Sequence, residues 1–539
     1  MSEPNVFEQL VNKVKRKIEQ RKNQASFRAM AAQLSENTPE GKLKPVIFFD
    51  ASTRLSGASL NAGFAVVTAW SLGLQGVPVV HFVCQEGLKP CLLGTDRNNP
   101  DAKPPCQSCI RQSEAMFAHS KVSPFNYQTD STFEEEIQNL DLDQLMVFEY
   151  RSIPLGELCL PSTRWIMRRH HLTDEEYTRS LFKNYLRSAW SLAQQFEVLL
   201  DEQQPQAVVV FNGMQYPEAV ARWLARRCKI KVFSHEVGML PITAYFTEGD
   251  ATAYDLDIPQ DFQLSESQDE KLNAYLNARF KGDFHMAGVQ FWPEMSDLSP
   301  EFLATAKKFK QIVPVFTNVI FDTSQPHANV LFEDMFVWLD SIVETAKKHP
   351  ETLFVIRAHP DEAREGKASE ESVAQWAEMR QIERFPNIRF VPPQEYINSY
   401  DLIRMSKFVL IYNSTIGMEA SILGAGVLSA GKARYTASDV VWFPRSIPAY
   451  QEQLEDLLTV DQVEVPEKFN VNARRFLYYQ LHRSALRFDA FLEPDGIWAG
   501  YVKLKDFSPT TLLPEHSKTM QVISDGILRG GNFMYQEDL

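Results

Sequence analysis

A chain of 539 residues exceeds what one hydrophobic core usually organises, so two domains are expected. With 44% apolar and 23% charged residues it has the composition of a globular protein, and a net charge of −14 excludes the basic footprint of a general nucleic-acid binder. No apolar run reaches the ~18 residues of a membrane-spanning helix, and six cysteines are too few for a disulfide scaffold. The start of the chain lacks the apolar core of a signal peptide, so a cytoplasmic location is expected, with room for contact at the inner face of the membrane.

Residues 1–34 form a first unit. Phe7, Leu10, Val11, Val14 and Ile18 fall on one face of a predicted helix that also carries Lys13, Lys15, Arg16, Lys17, Arg21, Lys22 and Arg28. Two readings stand side by side: a helix packed on the next domain, or a basic amphipathic helix that lies on anionic lipid through residues 1–28. After a linker, residues 44–296 form an N-terminal Rossmann-like domain. Pro45–Asp50 is a buried strand, Leu60–Leu74 an apolar helix and Pro78–Val83 a second strand. The loop between strand and helix, with Arg54 and Gly57, lacks the GxGxxG spacing, so no dinucleotide site is expected there.

Cys84, Cys91, Cys106 and Cys109 follow the second strand as C-x6-C-x14-C-x2-C, four of the six cysteines within 26 residues. In a reduced compartment such clustering favours metal ligation over disulfides. A structural zinc ion is the expectation, with an iron–sulfur cluster or unliganded thiols as alternatives. Residues 152–172 concentrate Glu157, Arg164, Arg168, Arg169, His170 and His171, and the arginines suit a substrate carboxylate or phosphate as well as a solvated face. A long helix at 174–203 precedes the strand Ala207–Phe211, a helix at 217–228 and a strand at 230–238. Glu236, at the end of that last strand, is the candidate general base, with Asp50 and Glu157 next in line and a purely structural carboxylate as the alternative.

Residues 241–300 are expected to be irregular, with a helix near 265–280 and the domain boundary around 297–303. Residues 297–447 then form a second Rossmann-like domain. Its strands are expected at 312–317, leading to Asn318; at 353–356, leading to Arg357-Ala358-His359-Pro360; at 388–391; at 408–412, leading to Asn413-Ser414-Thr415-Ile416-Gly417; and at 427–431. Predicted helices lie at 330–348 and 368–383 and from Met418 to Leu423. In parallel sheets of this kind ligands sit at the carboxyl ends of the strands. Ser414 and Thr415 are good helix caps, and the unpaired amides of a helix start suit a phosphate. An ordinary capped helix beside a His-Pro turn is the alternative. Residues 448–539 are expected to be a helical extension (450–460, 471–490) that crosses back to brace the first domain.

Two facing α/β domains with phosphate signals in the second resemble the GT-B glycosyltransferases. The sequences Arg357-Ala358-His359-Pro360 and Tyr412-Asn413-Ser414-Thr415-Ile416-Gly417 are similar to the His-Pro and Ser-Ser/Thr motifs of bacterial capsule polysaccharide biosynthesis proteins of the Kdo-transferase type and, more distantly, of bacterial sialyltransferases. The resemblance covers about 310–435 and implies a nucleotide-sugar donor, a CMP-sugar above UDP- or GDP-sugars. It places Glu419 at the nucleotide ribose; because His359 and the Ser414/Thr415 helix terminus can neutralise the leaving phosphate and no DxD-like motif lies at a strand end, catalysis without a metal ion is expected. The acidic motif of the sialyltransferases is not evident in the N-terminal domain, and the cysteine cluster is no part of the GT-B pattern. Arg54, Gly57, Arg164 and Glu236 are expected on the acceptor side, the acceptor being a surface or capsular glycan or a lipid-linked one. A GT-B-fold epimerase or hydrolase and a non-catalytic polysaccharide-assembly protein are the alternatives.

Overall fold

The computed structural model describes residues 6–538 apart from 40, 42, 52–56, 97–101, 253–255, 282–284, 287–288, 291–294, 365–367 and 497, and the side chains of all these except 6–13, 285–286 and 289–290. Two largely parallel sheets, each covered by helices on both faces, give two Rossmann-like domains. In the first, β1 (Val46–Asp50), β2 (Val79–Cys84), β3 (Lys121–Phe125), β4 (Ala207–Phe211) and β5 (Lys231–Val237) run parallel in the order β5-β4-β1-β2-β3. The central strand β1 is buried along its whole length, which is why its sequence is a continuous apolar run rather than an alternating one. The helix Leu60–Leu74 is apolar all round because both of its sides are covered. Ser59 caps it, its hydroxyl accepting the Ala62 N–H at 3.1 Å.

In the second domain, β7 (Gln311–Phe316), β8 (Thr352–Arg357), β9 (Ile388–Val391), β10 (Val409–Ile411) and β11 (Val427–Ser429) are all parallel, in the order β9-β8-β7-β10-β11. The chain builds outward from β7 on one side and then restarts on the other with β10. That reversal opens a crevice at the carboxyl ends of β7, β8 and β10, where such sheets receive ligands.

Three strands of the first sheet lie outside the sequence expectation. The edge strand β3 lacks the continuous apolar run of the buried strands, and Lys121 and Val122 are exposed. The antiparallel β6 (Thr243–Glu248) lies in the stretch expected to be irregular and pairs Tyr245 with Glu236. The helix expected at 471–490 ends at Tyr478, and after a π-helical turn β12 (Leu486–Arg487) pairs with β6. Tertiary packing overrides helical propensity there, because Leu486, Phe488 and Phe491 complete the core of the N-terminal domain. The segment expected as one extension, 448–539, therefore divides. Helices Ile447–Thr459 and Glu467–Tyr478 pack on the second domain, and residues from Leu486 on belong to the first.

The N-terminal helix spans Val6–Asn37. Phe27, Met30, Ala31 and Leu34 are buried in the N-terminal domain, whereas Val14 and Ile18 are 53% and 48% exposed. The side chains of Phe7, Leu10 and Val11 lie outside the described residues. Among the described residues no helix is long and apolar enough to cross a membrane.

Candidate functional site

Strand β8 is buried from Thr352 to Arg357 and delivers its last side chain to the crevice. The Arg357 guanidinium is 6% exposed; its Nη1 donates to the Ala358 carbonyl at 3.1 Å and its Nε has no hydrogen-bond partner. Among the described residues no carboxylate comes within ion-pair distance of it. Burial lowers its pKa to about 10, against the smaller opposing pull of Glu395, so it still carries its charge at neutral pH. A buried, unpaired cation is costly, and an anion is what would complete it.

His359 follows two residues later and caps the short turn Pro360–Ala363, its Nδ1 accepting the Asp361 N–H at 3.1 Å. The neutral ring therefore carries its proton on Nε2, as a donor. Burial, reinforced by the nearby Arg357 charge, pushes the His359 pKa down, while Asp361 and Asp322 oppose it. Arg357, His359, Pro360, Ser414 and Thr415 share the wall of one pocket with Phe316, Thr317, Arg279, Tyr396, Tyr400 and Glu419.

The strand β10 side differs in detail from the sequence expectation. Thr415 stands at the N-cap of Ile416–Ile422 with helical φ and ψ, and its hydroxyl caps nothing. The helix has only seven residues, so its terminus adds little, and the cationic groups carry the site's polarity. Glu419, expected at a ribose, is engaged at both oxygens. Arg279 Nε donates to Oε1 at 2.5 Å and the Tyr400 hydroxyl to Oε2 at 2.8 Å. Asn413 and Asn318 lie beside the pocket and hold each other, the Asn413 N–H donating to Asn318 Oδ1 at 3.3 Å. Gly417 lies behind the pocket wall. A Cβ there would stand 2.4 Å from Ile411 and 2.6 Å from the Tyr435 hydroxyl, so its role is close packing of helix on sheet rather than ligand contact.

No family profile matches the chain. Protein FixF of Sinorhizobium fredii is 27% identical over 240 residues, which take in 43% of this chain and 50% of FixF, so the chain spans about half the length of that relative. Among solved structures, the KpsC β-Kdo 2,4 transferase of Thermosulfurimonas dismutans is 12% identical, with 52% of this chain and 80% of that chain covered at a TM-score of 0.34. The UDP-GlcNAc 2-epimerase of Neisseria meningitidis bound to UDP-GlcNAc is 13% identical, with 81% of this chain and 99% of that chain covered at a TM-score of 0.23. At these scores the likeness carries no detail of the site.

On the N-terminal side, Glu236 ends β5 and is held by three donors. Asn61 Nδ2 (3.1 Å) and the Val237 N–H (2.8 Å) reach Oε1, and Asn212 Nδ2 (3.0 Å) reaches Oε2. It is not part of the pocket wall that holds His359. The chain beyond it, at Met239 and Leu240, packs on the core of the second domain, so Glu236 stands close to the junction between the two. Asp50 is buried against His81 at 2.7 Å, and Glu157 is exposed on its helix. Gly57 lies against the Tyr501 ring, beside the N-terminal helix, which makes it a packing position; Arg54 lies outside the described residues.

Arg164 donates from Nε to the His170 carbonyl at 2.8 Å. It belongs to a contact between domains that the sequence did not reveal. His171 reaches Asp334 Oδ2 at 3.1 Å through Nε2 and Glu371 Oε1 at 2.6 Å through Nδ1. The two carboxylates raise the His171 pKa to about 10. Burial first, and Arg164 next, lower that of His170 to about 4. Among the described residues, His170, His171 and Asp334 are the one group of three whose metal-ligating atoms lie within 4.8 Å of one another. With both ring nitrogens of His171 facing carboxylates, the arrangement is an ion-paired clasp across the domains. Arg434, donating to the Ala251 carbonyl at 3.1 Å, and His327, 3.1 Å from Asp250, extend the same junction.

Proposed function

We propose that the protein is a glycosyltransferase that moves a sugar from a nucleotide donor to a surface or capsular polysaccharide acceptor. The observation that carries this reading is the buried Arg357 guanidinium, with no carboxylate partner among the described residues, beside the Nε2–H of His359 at a strand-end pocket. Together they offer fixed positive charge and a donor where a leaving phosphate gathers negative charge, the kind of preorganised stabilisation that usually contributes most. Ser414 and Thr415 add hydroxyl donors on the facing wall. This charge does the work a divalent cation does in other transferases, so turnover is expected to need none.

Glu236 is the proposed base. It would accept the proton of the attacking acceptor hydroxyl as the C–O bond to the sugar forms and the bond to the nucleotide phosphate breaks. Its three amide donors fix its orientation. The acceptor then enters from the N-terminal domain near Arg164, and a lipid-linked glycan would be met at the cytoplasmic face of the membrane by the basic residues within 1–28.

The test is a thermal-shift and calorimetric screen against CMP, UDP and GDP, followed by turnover of the matching nucleotide sugar with and without EDTA. A rise in melting temperature with one nucleotide is expected, largest for CMP. Release of free or epimerised sugar without acceptor would instead identify the hydrolase or epimerase, and no binding of any nucleotide would overturn the reading.

A further inference from the structure

The cysteine cluster plays no part in that chemistry. Cys84 ends β2, Cys91 follows in the next turn, and Cys106 and Cys109 lie in the first turn of the helix Cys106–Met116. Three pieces of chain thus bring sulfur into one neighbourhood, the turn after Cys84 meeting the helix start through Glu86 and Gln107, and the turn after Cys91 packing on Pro104. None of the four is in a disulfide.

Two of the sulfurs sit in Cys-x-x-Gly turns. The Gly87 N–H donates to Cys84 Sγ at 3.3 Å, and the amides of Leu93 and Gly94 serve Cys91 in the same way. Gly94 is needed for that approach, since a Cβ there would lie 2.7 Å from Pro104 and 3.4 Å from Cys91 Sγ. Burial pushes both thiols up, Cys84 to about 12 and Cys91 to about 11, and these amides offset part of that rise. The loop is also fastened to the domain: the Lys89 N–H donates to Ser188 Oγ at 2.9 Å, and the Tyr216 hydroxyl to the Pro90 carbonyl at 2.9 Å. On the other side, Gln107 Nε2 donates to Glu86 Oε1 at 2.9 Å and ties the helix start to the first turn.

We propose that Cys84, Cys91, Cys106 and Cys109 bind one Zn²⁺ in a tetrahedral four-thiolate site that pins the loop after β2 to the start of the helix Cys106–Met116. Binding releases the four thiol protons, forms four Zn–S bonds and leaves a net charge of −2, with no electron transferred. The turn amides and the amino end of the eleven-residue helix offset that charge. Zn–S bonds of about 2.3 Å put the sulfurs about 3.8 Å apart. No three of them lie within 4.8 Å of one another in the structure, so the ion draws the loop inward as it binds.

The experiment is elemental analysis of the full chain purified under reducing conditions, for wild type, Cys106→Ser/Cys109→Ser and Cys228→Ser, the last being an exposed cysteine away from the cluster. About one zinc per chain is expected in wild type and Cys228→Ser, with loss of at least tenfold in the double variant. Wild type stripped with chelator and titrated with Co²⁺ provides a readout independent of how that variant folds. Saturation of visible tetrahedral-thiolate bands at one equivalent is the expected result. Absence of zinc with all four thiols reacting in the native protein would overturn the site, and iron with acid-labile sulfide would overturn the zinc assignment.

Discussion

Replacing Arg357 with Met separates a ligand-binding cation from a structural one. The side chain keeps its length and apolar stem and loses its charge. Burial holds the guanidinium at about 10 against an ordinary 12.5, which costs the fold about 3 kcal/mol at 1.36 kcal/mol per tenfold. Below pH 10 the group is charged in both folded and unfolded chains, so this cost is fully present at neutral pH. Losing the hydrogen bond to the Ala358 carbonyl returns about 1 kcal/mol. Arg357→Met should therefore stabilise the free protein by about 2 kcal/mol, a rise of a few degrees in melting temperature. The same change removes a charged contact to phosphate worth about 1.5–3 kcal/mol, or roughly 10- to 150-fold in Kd. Calorimetric titration with the nucleotide that binds wild type, beside a melting curve of each free protein, checks both halves. A variant that melts lower and binds nucleotide as wild type does would refute the assignment, because it would make Arg357 a structural group.

Glu236→Gln keeps the side chain's shape and the two donors to Oε1, sets its NH2 against Asn212 Nδ2 and removes the base, so nucleotide affinity should hold while kcat falls by about 10²–10⁴ in a steady-state transfer assay. The His171 clasp gives a pH signature: its folded pKa is raised, so its contribution is complete below the unfolded value of about 6.5 and is lost as pH climbs through about 10. With His171 half exposed, screening reduces that contribution to about 1 kcal/mol. Melting curves from pH 6 to 10 should fall more steeply for wild type than for His171→Gln. Flotation with anionic vesicles tests the basic helix: full-length protein should float at low salt and a chain lacking residues 1–22 should not. The cut stops there because Phe27 is buried in the domain core.

Much of the fold was legible because buried parallel strands are written as short, continuous apolar runs. Leu353–Ile356 and Phe408–Tyr412 locate the two strand ends that frame the pocket, and Arg357, His359, Ser414 and Thr415 meet there. Residues that reach a site from far along the chain leave no such mark. Arg279 comes from the crossing segment, Tyr400 from a six-residue helix, and their meeting with Glu419 depends on tertiary placement. The clasp was hidden for the same reason: His171 is separated from Asp334 by 163 positions. Gly417, which entered with the Ser-Thr motif by resemblance, is approached here by Ile411 and Tyr435.

The return of the chain to the first sheet has a consequence for synthesis. Phe48 and Phe64 emerge early from the ribosome, but Phe488, Phe491, Leu512, Met520 and Phe533, which share their core, come some 400 residues later. At about 5–20 residues per second, that leaves an apolar face uncovered for tens of seconds. The C-terminal sheet, by contrast, is contiguous from Gln311 to Ser429 and can close while translation continues. The half of the protein made first is thus the half finished last, so a nascent chain or a C-terminal nonsense product would hold a folded second domain beside an open first one, the form a chaperone or protease would meet.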